Sequence, residues 1–136
     1  MSLVIDGSAA LAFALHDERT DRITVLFRAV AESGAVVPNL WHLEVANGLE
    51  VAVRRRRLSR DDADDILSDL AAYAIEVDGE THARAWDATS RLARRHALTL
   101  YDAAYLELAE RRVLPLATLD VELAKAAKRQ GLKLAL

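Results

Sequence analysis

The sequence predicts an α/β fold, a central parallel sheet of about four to five short strands flanked by helices. Three observations predict it. Short continuous apolar runs such as Leu3-Val4-Ile5 and Ala35-Val36-Val37 read as strands buried on both faces. Longer segments between them place apolar residues at helical spacing. Strand and helix signals then alternate along the chain, as repeated βα units require. With 136 residues the chain has room for one domain with its own core, and it reads as a single domain over residues 1–136.

The elements follow in order. Ser2 to Ile5 reads as the first strand, and Ser8 as the N-cap of a short helix through Leu15. A polar loop follows over 16–21. Ile23, Leu26, Phe27 and Val30 then mark a helix that Gly34 ends. Ala35 to Pro38 is a short strand with a proline stop. Leu40, Leu43, Val45, Leu49 and Val53 predict an amphipathic helix ending in Arg54-Arg55-Arg56-Arg57. Ser59 caps the next helix, with Asp61 and Asp62 at the positive end of its dipole and Ile66, Leu67, Leu70 and Tyr73 on its apolar face. Ala74 to Val77 reads as a strand. Thr81 to Arg95 reads as a helix with Ala85, Trp86, Thr89 and Leu92 on one side. Thr99 caps a helix from Tyr101 to about Arg112. The strand Leu114 to Ala117, a helix from about Val121 to Gln130, a Gly131 cap and a final strand Lys133 to Leu136 complete the chain.

Composition narrows the function. Apolar residues make up 52% of the chain and aromatic ones only 5%, so alanine and leucine carry the apolar count and favour helices. There is no cysteine, which excludes disulfides, zinc–thiolate sites and thiol nucleophiles and fits a reducing cytoplasm. No apolar stretch approaches the ~18 residues of a membrane span. Asp6 interrupts the N-terminus before a signal-peptide core forms. A cytoplasmic protein without a membrane partner is expected. The net charge of −3 gives no overall basic field.

Four carboxylates stand beside apolar sequence at the starts of helices. Asp6 ends the first strand, Glu44 opens the helix after the second, Asp102 begins the helix that Thr99 caps, and Asp120 follows the strand Leu114 to Ala117. In a parallel sheet these positions share one edge, where open α/β sheets bind ligands. Four carboxylates gathered there repel one another unless a cation or a proton intervenes. Oxygen-only ligands suit Mg²⁺ or Mn²⁺. Two such ions ~4 Å apart can activate water and stabilise the leaving oxygen of a phosphodiester. Taken singly, Asp102 and Asp120 read equally well as charges favoured by a helix dipole, and Glu44 as a solvated helix acid.

These residues carry a resemblance. Val4-Ile5-Asp6-Gly7-Ser8-Ala9, then Glu44 with Asn47, then Leu98-Thr99-Leu100-Tyr101-Asp102-Ala103-Ala104-Tyr105, then Leu116-Ala117-Thr118-Leu119-Asp120 together resemble a PIN-domain ribonuclease. Within that family the chain looks most like the VapC-type toxins of toxin–antitoxin pairs. The resemblance implies a PIN-like parallel-sheet domain and an Mg²⁺- or Mn²⁺-dependent endoribonuclease that inhibits translation or growth. It also implies a homodimer or larger toxin–antitoxin assembly and a cognate antitoxin. Carried over by motif, Asp6, Glu44, Asp102 and Asp120 form the catalytic and metal-binding quartet. Thr118, Ser8 and Asn47 are auxiliary candidates, and Glu122 is an alternative to Asp120.

Arg54, Arg55, Arg56 and Arg57 form the strongest positive cluster, read as an RNA phosphate contact, as a solvated helix C-terminus or as an antitoxin surface. His16, His42, His82 and His96 lie too far apart in sequence for metal-ligand spacing, and only His42 neighbours a site residue. Trp41 and Trp86 read as core or dimer packing residues, with stacking on RNA bases as the alternative. Two other functions compete with the ribonuclease. An aspartyl phosphatase with Asp6 as nucleophile places a second acid two residues on, where this chain has Ser8. A non-catalytic RNA- or partner-binding module with a vestigial acidic site is the other.

Overall fold

A computed structural model of the chain describes residues 2–136. Four parallel strands form one sheet: β1 (Leu3–Ile5), β2 (Ala35–Pro38), β3 (Ile75–Asp78) and β4 (Leu116–Ala117), in the order β3-β2-β1-β4. Leu3 pairs with Ala35 on one side of β1, and Ile5 with Ala117 on the other. The parallel α/β expectation holds, with β1 in the interior of the sheet. Val4, Ile5, Val37, Leu116 and Ala117 are fully buried, which explains why the strands read as unbroken apolar runs.

The helices are α1 (Gly7–Ala14), α2 (Asp21–Ser33), α3 (Trp41–Arg54), α4 (Arg60–Ala71), α5 (Thr81–Arg84), α6 (Ser90–His96), α7 (Leu100–Arg112) and α8 (Val121–Arg129). Side-chain caps stand where the sequence placed them for α4 and α7. Ser59 Oγ accepts from the Asp62 amide at 3.0 Å, and Thr99 Oγ1 from the Asp102 amide at 3.1 Å. Helix α1 is different. Its N-cap is Asp6 rather than Ser8, because Asp6 is the last extended residue and its carboxylate reaches the Ala9 amide. None of these helices is long and apolar enough to cross a membrane.

Four further expectations are corrected. The strand ending at Ala117 begins at Leu116 rather than Leu114, although the Pro115 carbonyl still accepts from the Val4 amide at 2.9 Å. The final strand from Lys133 shrinks to a single parallel bridge between Leu134 and Leu116. Trp86 does not pack. A five-residue π-helical turn, Ala85–Thr89, interrupts the helix from Thr81 and shifts its phase, leaving Trp86 94% exposed. In α3 the buried stripe is Trp41, Val45, Leu49 and Ala52, so Leu43 falls outside it and faces solvent.

Gly34 joins α2 to β2 with φ 75° and ψ 179°, a region that only glycine occupies at low cost. A Cβ there would also stand 2.8 Å from the Ala74 carbonyl oxygen. At the far edge, Arg111 clasps α7 to the end of β3. Its guanidinium donates to both oxygens of Asp78, at 2.7 and 3.1 Å, and to Glu107 at 2.7 Å. Both carboxylates are buried. The Arg111 hydrogen bonds hold the Asp78 carboxyl below the usual carboxylate range.

Two outcomes follow for stability. Gly34→Ala lowers unfolding free energy by about 1–3 kcal/mol, read in urea titration against the wild type. Because Asp78 has a lower pKa folded than unfolded, its contribution is complete above the ordinary carboxylate pKa and is lost as pH falls toward the folded value. Acid titration of the melting temperature is therefore steeper in the wild type than in Asp78→Asn below about pH 4. Arg111→Met leaves buried Glu107 without its cation and Asp78 with only Arg112 at 3.5 Å, and costs about 3–5 kcal/mol at neutral pH.

Candidate active site

The carboxyl ends of β1 and β4 meet at Asp6. The Asp6 amide donates to the Ala117 carbonyl at 3.1 Å, fixing the two strand ends side by side. The Asp6 carboxylate is only 4% exposed, so the protein must supply its solvation. Its Oδ1 accepts from the Ala9 amide at 3.0 Å and from Ser8 Oγ at 2.7 Å, while its Oδ2 accepts from the Thr118 hydroxyl. Ser8 Oγ in turn accepts from the Leu119 amide, and Thr118 Oγ1 from the Asp120 amide, both at 3.0 Å. Ser8 and Thr118 thus lock Asp6 to the turn that presents Asp120. Asp120 caps α8 by accepting from the Leu123 amide at 2.8 Å, and it remains exposed.

The other two carboxylates arrive on the first turns of α3 and α7. The Tyr105 hydroxyl, buried one turn further along α7 than Asp102, donates to Glu44 Oε1. The remaining Glu44 oxygen, Oε2, lies over Gly7. A Cβ at Gly7 would stand 3.5 Å from that oxygen and 3.4 Å from the Glu44 Cβ. Glycine beside Asp6 leaves the Glu44 side chain room to lie against the start of α1. Tyr105 belongs to the motif read from the sequence, but its role was not. The readable signal was its spacing, since the residue three after Asp102 shares a helix face with it.

Electrostatics tie the four groups together. Burial pushes the Asp6 carboxyl upward and the Asp120 charge adds to this, while Thr118, the Ala9 amide and Ser8 pull it down. Burial also raises Glu44, against the pull of Tyr105 and with the charges of Asp6 and Asp102 adding to the rise. Asp102 is raised by burial and then by Asp120 and Asp6. The Tyr105 hydroxyl is pushed up by burial and by Glu44, so it stays a donor. The sheet edge therefore concentrates negative charge that hydroxyls and amides offset only in part.

Among the described residues no three acidic or histidine side chains stand close enough to enclose a metal ion by themselves. The donor set nevertheless fits a hard divalent cation. It is oxygen-only and mutually repelling, and Mg²⁺ commonly keeps several waters while binding through one or two carboxylates.

The other predicted site residues are more scattered. Asn47 and Glu122 are exposed, and Glu122 faces Lys125 at 3.6 Å. Arg54 ends α3, ten residues beyond Glu44 and so about 15 Å along the helix axis. Arg55 and Arg56 follow in the turn that closes α3, where the Arg57 amide donates back to the Ala52 carbonyl at 2.9 Å. Arg57 pairs with Asp17 at 3.0 Å and Glu18 at 2.9 Å. The structure does not bring the arginine run to the carboxylates. His42 is exposed and packs edge-on against the Trp41 ring, which is buried.

Comparison with known proteins matches this architecture. A PIN domain profile covers residues 3–129. Ribonuclease VapC3 of Pyrobaculum aerophilum is 35% identical over 126 residues, covering 92% of this chain and 94% of that protein. Ribonuclease VapC9 of Mycobacterium tuberculosis is 32% identical over 131 residues, covering 94% and 93% of the two chains. The crystal structure of PAE2754 from Pyrobaculum aerophilum superimposes with a TM-score of 0.69 at 26% identity, covering 93% of this chain and 79% of that one. With its parallel sheet, its order of motifs and these relatives, the chain belongs to the PIN-domain family, among its VapC-type members.

Proposed function

We propose that this chain is a divalent-metal-dependent endoribonuclease and the toxin of a toxin–antitoxin pair. The observation that carries the reading is the convergence of Asp6, Glu44, Asp102 and Asp120 on one sheet edge, with three of the four carboxyls pushed upward by burial and by one another. Perturbed titration of clustered groups is a signature of sites built for chemistry. Two relatives that match over more than nine-tenths of the chain are named as ribonucleases. The same kinship supports a cognate antitoxin, a homodimer or larger toxin–antitoxin complex, and action in the cytoplasm to halt translation or growth.

Asp6, Glu44, Asp102 and Asp120 are the residues that would hold Mg²⁺ or Mn²⁺. When bound, such an ion neutralises charge on a scissile phosphodiester and makes water a better nucleophile. The chain's own contribution is preorganisation. Ser8, Thr118 and the Ala9 amide fix Asp6 in place and pull its carboxyl down against the rise that burial imposes. Tyr105 holds one oxygen of Glu44 and leaves the other over Gly7. Asp120 stands in a capping geometry that fixes its remaining oxygen at the exposed rim. Thr118 ties two acidic residues together, donating to the Asp6 carboxylate and accepting from the backbone amide of Asp120.

Purified Asp6→Asn and Asp102→Asn abolish Mg²⁺- or Mn²⁺-supported RNA cleavage while circular dichroism and melting report a folded chain, since asparagine at position 6 still caps α1. Cleavage at the wild-type rate by either variant refutes the assignment. Thr118→Ala lowers activity or metal affinity by about 10–100-fold, the usual effect of removing a side chain that orients a ligand. Titration calorimetry with Mn²⁺ separates these two effects.

A further inference from the structure

Helix α3 carries a glycine in its middle, Gly48. Glycine inside a helix weakens it relative to alanine, so the position calls for a packing reason. Helix α1 supplies one. A Cβ at Gly48 would overlap Leu11 Cδ1 and stand 2.7 Å from its Cδ2 and 3.1 Å from its Cγ. Leu11 is partly buried and packed against the core. Rotation about its Cβ–Cγ bond exchanges one methyl for the other without clearing the space. This contact has a companion one turn away. Gly7 precedes Leu11 by four residues on α1, and Glu44 precedes Gly48 by four on α3. Residues four apart form one row on a helix surface. Leu11 fills the gap at Gly48, and Glu44 lies over Gly7. Each helix thus places a long side chain where the other has none.

We infer that the seat of Leu11 against Gly48 is a positioning contact that sets how close Glu44 stands to Asp6. The inference rests on the ribonuclease reading and adds to it the device that spaces two of its carboxylates. Asp6 caps α1 and moves with that helix, while Glu44 sits in the first turn of α3 and moves with that one. Ionised carboxylates are acceptors only and repel each other, so no attraction between them can set their separation. Helix packing has to set it. Tyr105 aims the Glu44 carboxylate from α7. The contact of α1 with α3 fixes the distance from which Glu44 is aimed. A close-packed seat does not absorb an added methyl without a shift. Displacing a reacting group by ~1 Å can cost about 10²-fold in rate. Leu11 and Gly48 have no polar side-chain atom, so their influence on the site runs through this spacing alone.

The test is a size-swap cycle on the full chain: Gly48→Ala, Leu11→Ala and the double variant. Each is followed by melting, by Mn²⁺ titration calorimetry without RNA, and by steady-state RNA cleavage. Gly48→Ala pushes the helices apart, weakens Mn²⁺ binding by about tenfold and lowers kcat/KM by about 10–100-fold, while circular dichroism reports a folded chain. Leu11→Ala alone opens a gap and also weakens Mn²⁺ binding. In the double variant the added methyl refills the space that the leucine vacates. Affinity and kcat/KM then return toward the wild-type values, although the burial of the leucine is lost. A contact that serves stability alone gives losses that add or no loss at the site. A double variant no better than the weaker single one overturns the inference and leaves the ribonuclease reading intact, as does wild-type Mn²⁺ affinity in Gly48→Ala. If Gly48→Ala does not fold, the decision rests on whether adding it to Leu11→Ala recovers the lost affinity. If the wild type cleaves no RNA with either Mg²⁺ or Mn²⁺, the ribonuclease reading fails while the Mn²⁺ titrations still decide the spacing. A wild type that also binds no Mn²⁺ overturns both.

Discussion

Asp6 ends an interior strand of the sheet with almost no access to water, and the local architecture is arranged around solvating it. A buried carboxylate left without donors would take up a proton or destabilise the fold by several kcal/mol. Here one backbone amide and two hydroxyls serve it, and they come from α1 and from the turn after β4. Satisfying one charge thus joins two strands and the starts of two helices. Thr118 is decisive because its one oxygen both donates to Asp6 and accepts the Asp120 amide, so the position of one carboxylate fixes the backbone of another.

The remaining carboxylates extend this arrangement without completing it. Tyr105 answers one oxygen of Glu44, while Thr99 accepts from the Asp102 amide and pulls the Asp102 carboxyl down against burial and the charges of Asp120 and Asp6. Protein donors therefore satisfy the edge unevenly: thoroughly at Asp6, partly at Glu44, least at Asp102. Charge left over in this way suits a hydrated cation. A fully neutralised edge would be a structural polar network. The contrast is visible on the same helix, where Arg111 is clasped between Asp78 and Glu107 and gives each buried carboxylate a guanidinium partner. One end of α7 presents unpaired carboxylate and the other a closed ion cluster.

Much of this was legible in the sequence because it depends on local rules. An apolar run ending in Asp6, and Thr99 set before the α7 start, are backbone signals that need no tertiary knowledge. The order of alternating elements then determined which carboxylates share an edge. The parts that were not legible depend on phase and on distant partners. A π-helical turn cannot be read from 3.6-residue periodicity, so Trp86 was assigned to a packed face it does not occupy. The Ser8 hydroxyl bonds a threonine neighbourhood more than a hundred residues away, and only the pairing of β1 with β4 reveals that it serves the site instead of capping a helix. The C-terminal strand failed for a related reason. Its apolar residues pack, but only Leu134 finds a pairing register with β4, which is itself two residues long.

The arginine run poses the sharper physical question. Nucleic-acid affinity normally comes from cations near phosphates, yet Arg54 lies at the far end of α3 and Arg57 is engaged by Asp17 and Glu18. On the ribonuclease reading, the attraction at the edge would come from a divalent cation shared between carboxylates and phosphate, which would turn like-charge repulsion into a bridge. The edge would then bind its substrate only when the ion is present, and an affinity carried by the ion, rather than by the arginine run, is what this placement of charges favours.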